Sequence, residues 1–266
     1  MTKPQPQLEI ASLTHEGMVR SHNEDNHAVD ANAGFVILAD GMGGYNAGEV
    51  ASEMAVTELA AGLRAHAAAD MPAAELLRNE IGRINGAIHH AARTREQCAG
   101  MGTTLVAAQF LPGWMTVAHV GDSRLYRLRG ERFEAITRDH SVLQEQLDGG
   151  LITPEEARLS HNKNLVTRAL GVDATVEVDV ADHETQPRDL YLLCSDGLND
   201  MVADELIEQT LRAHPDDLKA AAAQLVALAN QNGGRDNVTV ILARVPGEAA
   251  ERGMLARLSG WIRHPG

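Results

Sequence analysis

Four aspartates occur in the same local setting, and their carboxylates are the groups in this sequence best suited to chemistry. Each lies close to a glycine at one end of a short apolar run: Asp40, Asp122, Asp196 and Asp236. Because glycine lets the backbone turn tightly beside a buried strand, the four carboxylates are predicted to lie at strand ends. A single Asp-Gly pair is typical of a turn. Four of them beside apolar strands predict that the side chains meet in one cluster.

A cluster of buried carboxylates is unstable without a cation. Burying one ionised carboxylate costs on the order of 20 kcal/mol in the ideal case, and still several kcal/mol in effect, before mutual repulsion is counted. A hard divalent cation removes that cost, and all-oxygen ligands favour Mg²⁺ or Mn²⁺ over Zn²⁺. Two such ions about 3.5–4 Å apart can hold and deprotonate a bridging water. The pattern therefore predicts a binuclear centre that activates water, but it names no substrate.

Arg20 is a candidate phosphate ligand, because it lies shortly before the acidic pair Glu24 and Asp25. Its planar guanidinium presents a fork that fits two phosphate oxygens. An isolated arginine more often forms a surface salt bridge. The position beside acidic residues favours the phosphate anchor.

The elements that would position these groups follow from the apolar pattern. Short apolar runs bounded by glycine or proline predict strands, and longer segments rich in alanine and leucine predict helices. Strands, two long helices, a run of strands and further helices follow one another, an order that favours an α+β layered sandwich over a doubly wound α/β fold. The polar segment 141–167 is predicted to be an irregular or short-helical insert, and 20–25 a turn. The predicted strands are 8–13, 34–39, 103–109, 114–120, 125–128, 133–136, 174–180, 189–194 and 238–245, and the predicted helices are 47–69, 72–97, 203–213 and 216–230.

The composition excludes several classes of function. The chain of 266 residues carries 23 Lys and Arg against 37 Asp and Glu, a net charge of −14, which argues against nucleic acid as a partner because that binding needs basic patches. Neither a transmembrane run nor a signal peptide is predicted, so a cytoplasmic location is expected. Cys98 and Cys194 are expected to be reduced, half-buried thiols. Neither begins a Cys-x5-Arg phosphate loop, which argues against a phosphatase with a cysteine nucleophile.

Eight segments of the sequence, taken in order, resemble the type-2C metal-dependent protein phosphatases, in particular the bacterial branch that opposes Ser/Thr kinases. Any one segment is a weak signal, whereas eight in the right order are highly specific. The resemblance runs from about residue 8 to residue 245. The segments are RSHNED (20–25), ADGMGG (39–44), MGTTL (101–105), VGDSRLY (120–126), RDHS (138–141), TRALG (167–171), CSDGL (194–198) and GGRDNVTV (233–240).

The resemblance implies a four-layer α-β-β-α sandwich, in which two central antiparallel sheets are flanked by helices and metals bind in a cleft at one end. It implies a catalytic domain over 8–245, in which the insert 141–167 is a variable flap beside the cleft. The remaining segment, 246–266, mixes apolar and arginine side chains and is predicted to be an amphipathic C-terminal tail.

The resemblance also assigns metal ligands. Asp40 would bridge both ions, and Gly41 would contribute its backbone carbonyl. Asp196 and Asp236 would hold one ion, while Glu24 would reach the other through water.

A third, weaker metal site and two supporting residues are implied as well. Asp122 would hold the third ion together with Asp196 and Asp200. Asp25 and Asn237 would support the ligands from behind.

Met42 departs from the family pattern. Eukaryotic members often carry a histidine there that is thought to protonate the leaving alkoxide, and a thioether cannot donate a proton. His22 and His140 are candidates for that role by position alone, whereas His119 is expected to be a packed strand residue.

The predicted function is hydrolysis of phosphoserine and phosphothreonine by direct attack of a metal-bridging hydroxide. The implied catalytic residues are Arg20, Asp40, Asp196 and Asp236, and the cofactors are two Mn²⁺ or Mg²⁺ ions with a third in some members. The expected partners are phosphorylated proteins and a cognate Ser/Thr kinase, and the chain is expected to be a monomer. Two alternatives remain at this point: a catalytically inactive binding module with the same fold, and a metal-dependent phosphodiesterase or nuclease.

Overall fold

Two antiparallel sheets lie face to face in a computed structural model of the chain, which describes residues 7–43, 47–66, 71–153, 156–157 and 165–247. The first sheet has the spatial order β1 (Glu9–His15), β11 (Val238–Arg244), β10 (Leu190–Cys194), β7 (Arg124–Arg129) and β8 (Arg132–Ala135). The second sheet has the order β2 (Asp25–Asp30), β3 (Phe35–Met42), β5 (Leu105–Leu111), β6 (Trp114–Val120) and β9 (Asp179–Glu184), and the short β4 (Gly102–Thr103) pairs with β3.

Helices cover the outer face of each sheet. The long helices α1 (Ala47–Ala65) and α2 (Ala73–Thr94) pack on the second sheet and are followed by a 3-10 turn (Glu96–Cys98). The helices α5 (Asp204–Ala213) and α6 (Leu218–Gln231) cover the first sheet. Two short helices, α3 (Val142–Asp148) and α4 (Asp196–Asn199), lie in connecting segments.

Three apolar layers separate the four layers of secondary structure. Since side chains alternate along a strand, Phe35 and Ile37 of β3 pack under α1 and α2 while Val36 points between the sheets. In the same way Leu242 of β11 packs against α5 and α6 while Ile241 points between the sheets. The predicted α+β four-layer sandwich is thus confirmed. No helix in the described part of the chain has the length and apolar character of a membrane span.

The structure corrects several predicted boundaries. The strand β2 was not predicted, because its sequence DNHAVD lacks an apolar run and all but one of its residues are only half-buried. The strand predicted at 174–180 is instead β9, Asp179–Glu184, because Val176 and Val178 pack on the core without joining a strand ladder. The first two predicted helices end earlier, at Ala65 and Thr94.

Two further predictions need correction. Asp40 lies inside β3 rather than at its end, because β3 continues to Met42 by pairing with β4. Cys98 and Cys194 are free thiols, but they are buried rather than half-buried.

The predicted flap and tail lie partly outside the described residues. The flap begins with α3 and returns at Leu165, whose carbonyl accepts from the Val142 N–H at 2.9 Å. Within it, residues 154–155 and 158–164 are not described. Of the predicted tail, 246–266, only Pro246 and Gly247 belong to the described part.

Candidate active site

The backbone of Asp40 is held by Thr103, the last residue of β4, and by Thr104, which follows β4. The Asp40 N–H donates to Thr104 Oγ1 at 3.0 Å, and the Asp40 carbonyl accepts from the Thr104 N–H at 2.8 Å and from Thr103 Oγ1 at 2.8 Å. The backbone that carries this carboxylate is therefore fixed from one side, and its half-buried side chain is presented at one end of the second sheet.

Asp25 joins the two sheets directly beneath Asp40. It lies opposite Asp40 in the β2–β3 register, and its Oδ2 accepts from Ser195 Oγ and from Thr239 Oγ1, each at 2.7 Å. Ser195 follows β10 and precedes Asp196, and Thr239 lies in β11 shortly after Asp236. Through these two hydroxyls the ends of the first sheet are placed beside the end of the second.

The electrostatics of Asp40 and Asp196 confirm that the acidic segments meet. Burial, followed by repulsion from Asp25, Asp196, Asp122 and Asp236, raises the pKa of Asp40 well above its ordinary value. Burial, followed by repulsion from Asp122 and Asp236, does the same to the pKa of Asp196. Asp40 and Asp196 therefore both lie within the field of Asp122 and Asp236.

The arrangement fits a divalent metal centre. Burial raises the pKa of Asp25 to about 6, against the lowering effect of its two hydroxyl donors. Burial and the neighbouring Asp139 raise the pKa of Asp122 to about 7. Among the described residues, the buried Oδ1 of Asp25 finds no hydrogen-bond donor. Crowded oxygen ligands that repel one another, with a buried acceptor left unpaired, match the donor set of Mg²⁺ or Mn²⁺.

Glu24 and Gly41 lie against the N-terminal end of α1. The Glu24 carbonyl accepts from the Gly41 N–H at 3.1 Å and from Ser52 Oγ at 2.6 Å, and the Glu24 carboxylate accepts from the Gly48 N–H. A Cβ at Gly41 would lie 2.2 Å from the Gly48 carbonyl oxygen. The close approach of β3 to α1 thus requires glycine at this position. Burial raises the pKa of Glu24.

Asn237 ties three loops together. Its Oδ1 accepts from the Glu24 N–H at 2.8 Å, and its Nδ2 donates to the carbonyls of Glu16 and His22 at 3.0 and 2.8 Å. Its own N–H donates to Asp236 Oδ1 at 2.8 Å. The buried Asn237 therefore fixes the position of Asp236 relative to Glu24 through its backbone and its side chain.

Arg20 lies beside Asp236 at the protein surface. Its Nη2 donates to Asp236 Oδ2 at 2.7 Å, and its side chain is 52% exposed. This contact raises the pKa of the guanidinium further above its ordinary value. The arginine is thus brought to the acidic cluster, with part of its fork open to solvent.

Asp122 and Asp200 extend the cluster toward the flap. Asp200 follows α4, and its N–H donates to the Asp196 carbonyl at 2.9 Å. A cavity of about 560 Å³ is lined by Asp122, Asp196 and Asp200 together with residues of α3 and α5. Three of the predicted metal ligands, Asp122, Asp196 and Asp200, therefore line this cavity.

The two predicted proton donors differ in their surroundings. His22 is exposed, and its carbonyl serves as an anchor for Asn237. His140 is buried; its Nδ1 accepts from Gly121 and its Nε2 lies 3.3 Å from Asp179 Oδ2, so both ring nitrogens are already engaged by other groups. Met42 is half-buried at the end of β3.

Sequence reasoning missed a network on the flap side of the cavity. Arg124 donates from Nε and Nη2 to both oxygens of Asp139 at 2.7–3.1 Å, and from Nη1 to the Tyr126 hydroxyl at 2.9 Å. The Tyr126 hydroxyl donates to Asp204 Oδ1 at 3.1 Å, which links the segment before the flap to the start of α5. The only signals in the sequence were the occurrence of Arg124 and Tyr126 in the VGDSRLY segment and of Asp139 in the RDHS segment.

Comparison with known proteins places the chain in a family. Residues 15–242 match the family model described as Protein phosphatase 2C. The chain is 43% identical over 235 residues to the serine/threonine phosphatase stp of Listeria welshimeri, covering 86% of this chain and 92% of that protein.

Solved structures agree with this match. The crystal structure of the Mycobacterium tuberculosis serine/threonine phosphatase PstP/Ppp has a TM-score of 0.83 at 38% identity, covering 90% of this chain and 99% of that one. The catalytic domain of PstP in complex with 2 manganese ions has a TM-score of 0.79 at 38% identity, over 90% of this chain and 98% of that one. The family predicted from the sequence is confirmed: the chain belongs to the protein phosphatase 2C family and is a protein phosphatase.

Proposed function

We propose that this protein is a metal-dependent serine/threonine phosphatase that acts on phosphoproteins. The observation that carries the proposal is the meeting of Asp40, Asp196 and Asp236 from separate elements, with Arg20 bonded to the last of them. The named relatives support the substrate class, since those protein names specify serine/threonine phosphatases. The two alternatives, an inactive binding module and a phosphodiesterase, have no such support.

The proposed ligands are those that the sequence suggests. Asp40 would contact both ions, with the Gly41 carbonyl as a further ligand, and Asp196 and Asp236 would hold one of the two. Glu24, which the Gly48 N–H and Asn237 orient, would act through water. The PstP complex with manganese supports Mn²⁺ as the probe ion.

A third site would involve Asp122, Asp196 and Asp200, which line the same cavity. Asp25 and Asn237 would act as supports, since Asp25 anchors both sheets and Asn237 fixes Asp236. When bound, the cations would lower the pKa of water and neutralise charge on the phosphate.

The chain's own residues would orient the substrate. Arg20 would turn its free N–H groups to the phosphate oxygens, since a guanidinium can serve a carboxylate and a phosphate through different edges. Water would attack phosphorus in line with the leaving oxygen, without a phosphoenzyme. Because Met42 has no proton to give and His140 is engaged elsewhere, the leaving alkoxide would take its proton from water or from the exposed His22.

The proposal extends to partners and organisation. A cognate Ser/Thr kinase would supply the phosphoproteins, and because such kinases use ATP, the proposed location is the cytoplasm. A monomer suffices, since every group of the site comes from one chain. The proposed catalytic domain spans 8–245 with the flap at 141–167, and 246–266 forms a tail.

The test compares single variants with Mn²⁺ present. Asp40→Ala and Asp196→Ala are expected to abolish release of phosphate from a phosphothreonine peptide and from p-nitrophenyl phosphate. Asp216→Ala, an exposed aspartate between α5 and α6, is the matched control and should retain full activity. Near wild-type turnover in either cluster variant, or turnover unaffected by a chelator, would refute the proposal. Nicking of plasmid DNA by the wild-type protein would favour the phosphodiesterase instead.

A further inference from the structure

His140 and Gly121 are bonded to each other in both directions. The His140 N–H donates to the Gly121 carbonyl at 2.9 Å, and the Gly121 N–H donates to His140 Nδ1 at 3.1 Å. Gly121 directly precedes Asp122 in the chain. The imidazole therefore fixes the backbone one peptide away from a carboxylate of the acidic cluster.

The opposite side of the same loop is held by Thr104. Gly121 has φ +104°, and a Cβ there would lie 2.7 Å from the Thr104 side chain. Thr104 Oγ1 and Ser123 Oγ are 2.7 Å apart and share a hydrogen bond. Because Thr104 also bonds the backbone of Asp40, the loop 121–123 is clamped between Asp40's own anchor and His140.

The surroundings of His140 determine its tautomer. Since Nδ1 accepts from Gly121, the neutral ring carries its proton on Nε2. Nε2 lies 3.3 Å from Asp179 Oδ2 and 3.1 Å from Arg168 Nη1, and of these two only the carboxylate can accept the proton. Asp179 Oδ1 in turn accepts from Arg168 Nη1 at 2.8 Å. His119 stacks on the imidazole with ring centroids 4.6 Å apart. A carboxylate thus orients a histidine that in turn orients the backbone amide next to Asp122.

The same side chains do not favour a separate metal site. The ligand atoms of His119, His140 and Asp179 lie within 4.8 Å of one another, a spacing that a cation could bridge. A metal bound to Nε2 would require the imidazole proton to be on Nδ1. Nδ1–H and the Gly121 N–H would then be two donors facing each other without an acceptor. In addition, Arg168 Nη1 already lies 3.1 Å from His140 Nε2 and 2.8 Å from Asp179 Oδ1, so this place is filled by a guanidinium.

His140 is also joined to the far end of the flap. Its carbonyl accepts from the Thr167 N–H at 2.8 Å, and Arg168 follows directly. The residue therefore stands where the start of the flap, the end of the flap and the loop carrying Asp122 converge.

We propose that His140 is a positioning residue that holds Asp122 for cation binding through the Gly121 amide. This inference rests on the proposed metal-dependent function. His140 touches neither phosphate nor water in this role and acts only through the loop 121–123.

Mn²⁺ titration calorimetry tests the inference without measuring turnover. In His140→Ala the weakest class of Mn²⁺ sites is expected to lose about tenfold in affinity or more, as for other supporting partners of metal ligands. His140→Asn is expected to recover most of the affinity, because its amide oxygen can accept from Gly121 near the place of Nδ1. His140→Gln, which reaches toward the place of Nε2, should not recover it. His183→Ala, a half-buried histidine of β9, is the control and should bind as wild type.

A double-mutant cycle assigns the effect to Asp122. Asp122→Asn should remove the weakest class of sites, and in that background His140→Ala should change the remaining Mn²⁺ affinities by less than about twofold. Wild-type affinity in His140→Ala would overturn the inference, as would equal weakening of every class with no recovery in His140→Asn. A wild-type protein that binds no Mn²⁺ would overturn the proposed function, whereas normal binding that ignores His140 would overturn this inference alone.

Discussion

Asp25 and Asp40 lie directly opposite each other on the paired strands β2 and β3. Like charges at such a cross-strand pair are destabilising. Burial, followed by repulsion from Asp25, raises the pKa of Asp40, and burial, with repulsion from Asp236 and Glu24, raises the pKa of Asp25. Asp25 also accepts hydrogen bonds from two hydroxyls of the other sheet, which hold its carboxyl close to that of Asp40. A bound cation resolves this conflict, and its removal should have measurable consequences.

Stability of the metal-free protein should fall as the pH rises. Burial raises the pKa of Asp25 to about 6 and, with repulsion from Asp139, that of Asp122 to about 7, so the folded state holds protons that the unfolded state releases near pH 4. The unfolded state then binds fewer protons, and the free energy of unfolding decreases between about pH 4 and pH 7, by about 1.4 kcal/mol for each unit of raised pKa.

Urea unfolding across this range, with chelator and with Mn²⁺, measures the effect. Mn²⁺ should stabilise the protein far more at pH 7 than at pH 4.5, because the ligands must be ionised to bind it. A metal-free protein whose stability is flat or rises over this interval would contradict the assignment of these carboxyls as a crowded, buried set.

Arg20 should contribute to substrate recognition. Arg20→Ala is expected to lower kcat/KM for a phosphothreonine peptide on the order of 100-fold, since charged hydrogen bonds are worth about 1.5–3 kcal/mol each. Arg20→Lys should recover little, because an ammonium group lacks the planar fork. The neighbouring exposed Arg235→Ala is the control and should leave the value within about twofold. Equal losses in the Arg20 and Arg235 variants would indicate a general charge effect.

Gly41 should tolerate no side chain. Gly41→Ala would place a Cβ 2.2 Å from the Gly48 carbonyl oxygen, so the end of β3 must separate from α1 and the free energy of unfolding should fall by about 2–3 kcal/mol. In contrast, a Cβ at Gly82 in α2 meets nothing within 4 Å, and Gly82→Ala should stabilise the helix by about 1 kcal/mol. Denaturant unfolding of both variants checks the pair, and similar effects in both would refute the close approach.

Met42→His should separate two kinds of substrate. If protonation of the alkoxide limits the reaction, a histidine at this half-buried position should speed hydrolysis of a phosphoserine peptide several-fold. Hydrolysis of p-nitrophenyl phosphate should be unchanged, because p-nitrophenolate leaves readily as an anion. Hydrolysis rates measured side by side on the two substrates test this prediction. An equal gain on both would show that the substitution does not act by protonating the alkoxide. Met42→Leu controls for packing.

Much of the fold was predictable from the sequence, because β3, β5, β6, β10 and β11 are buried on both faces and read as continuous apolar runs. The edge strands β2 and β9 were missed or misplaced, since nearly all of their residues are half-buried or exposed and their sequences, such as DNHAVD, are polar. At an edge, pairing with a neighbour decides where the strand lies, and for β9 that neighbour, β6, is distant in sequence.

The acidic cluster was predictable for a similar reason, as each aspartate lies beside a glycine at an apolar run. The hydroxyls of Ser195 and Thr239 and the imidazole of His140 were not, because their partners Asp25 and Gly121 come from other elements. Serine, threonine and histidine have too many ordinary uses for their type alone to indicate such bonds.

The position of β11 has a consequence for synthesis of the protein. This strand lies between β1 and β10 and directly follows Asp236. A growing chain on the ribosome therefore holds an open gap in the middle of one sheet until residues 236–244 have emerged, long after Arg20 and Asp40 are available. We expect the nascent polypeptide to lack phosphatase activity until that strand joins the sheet.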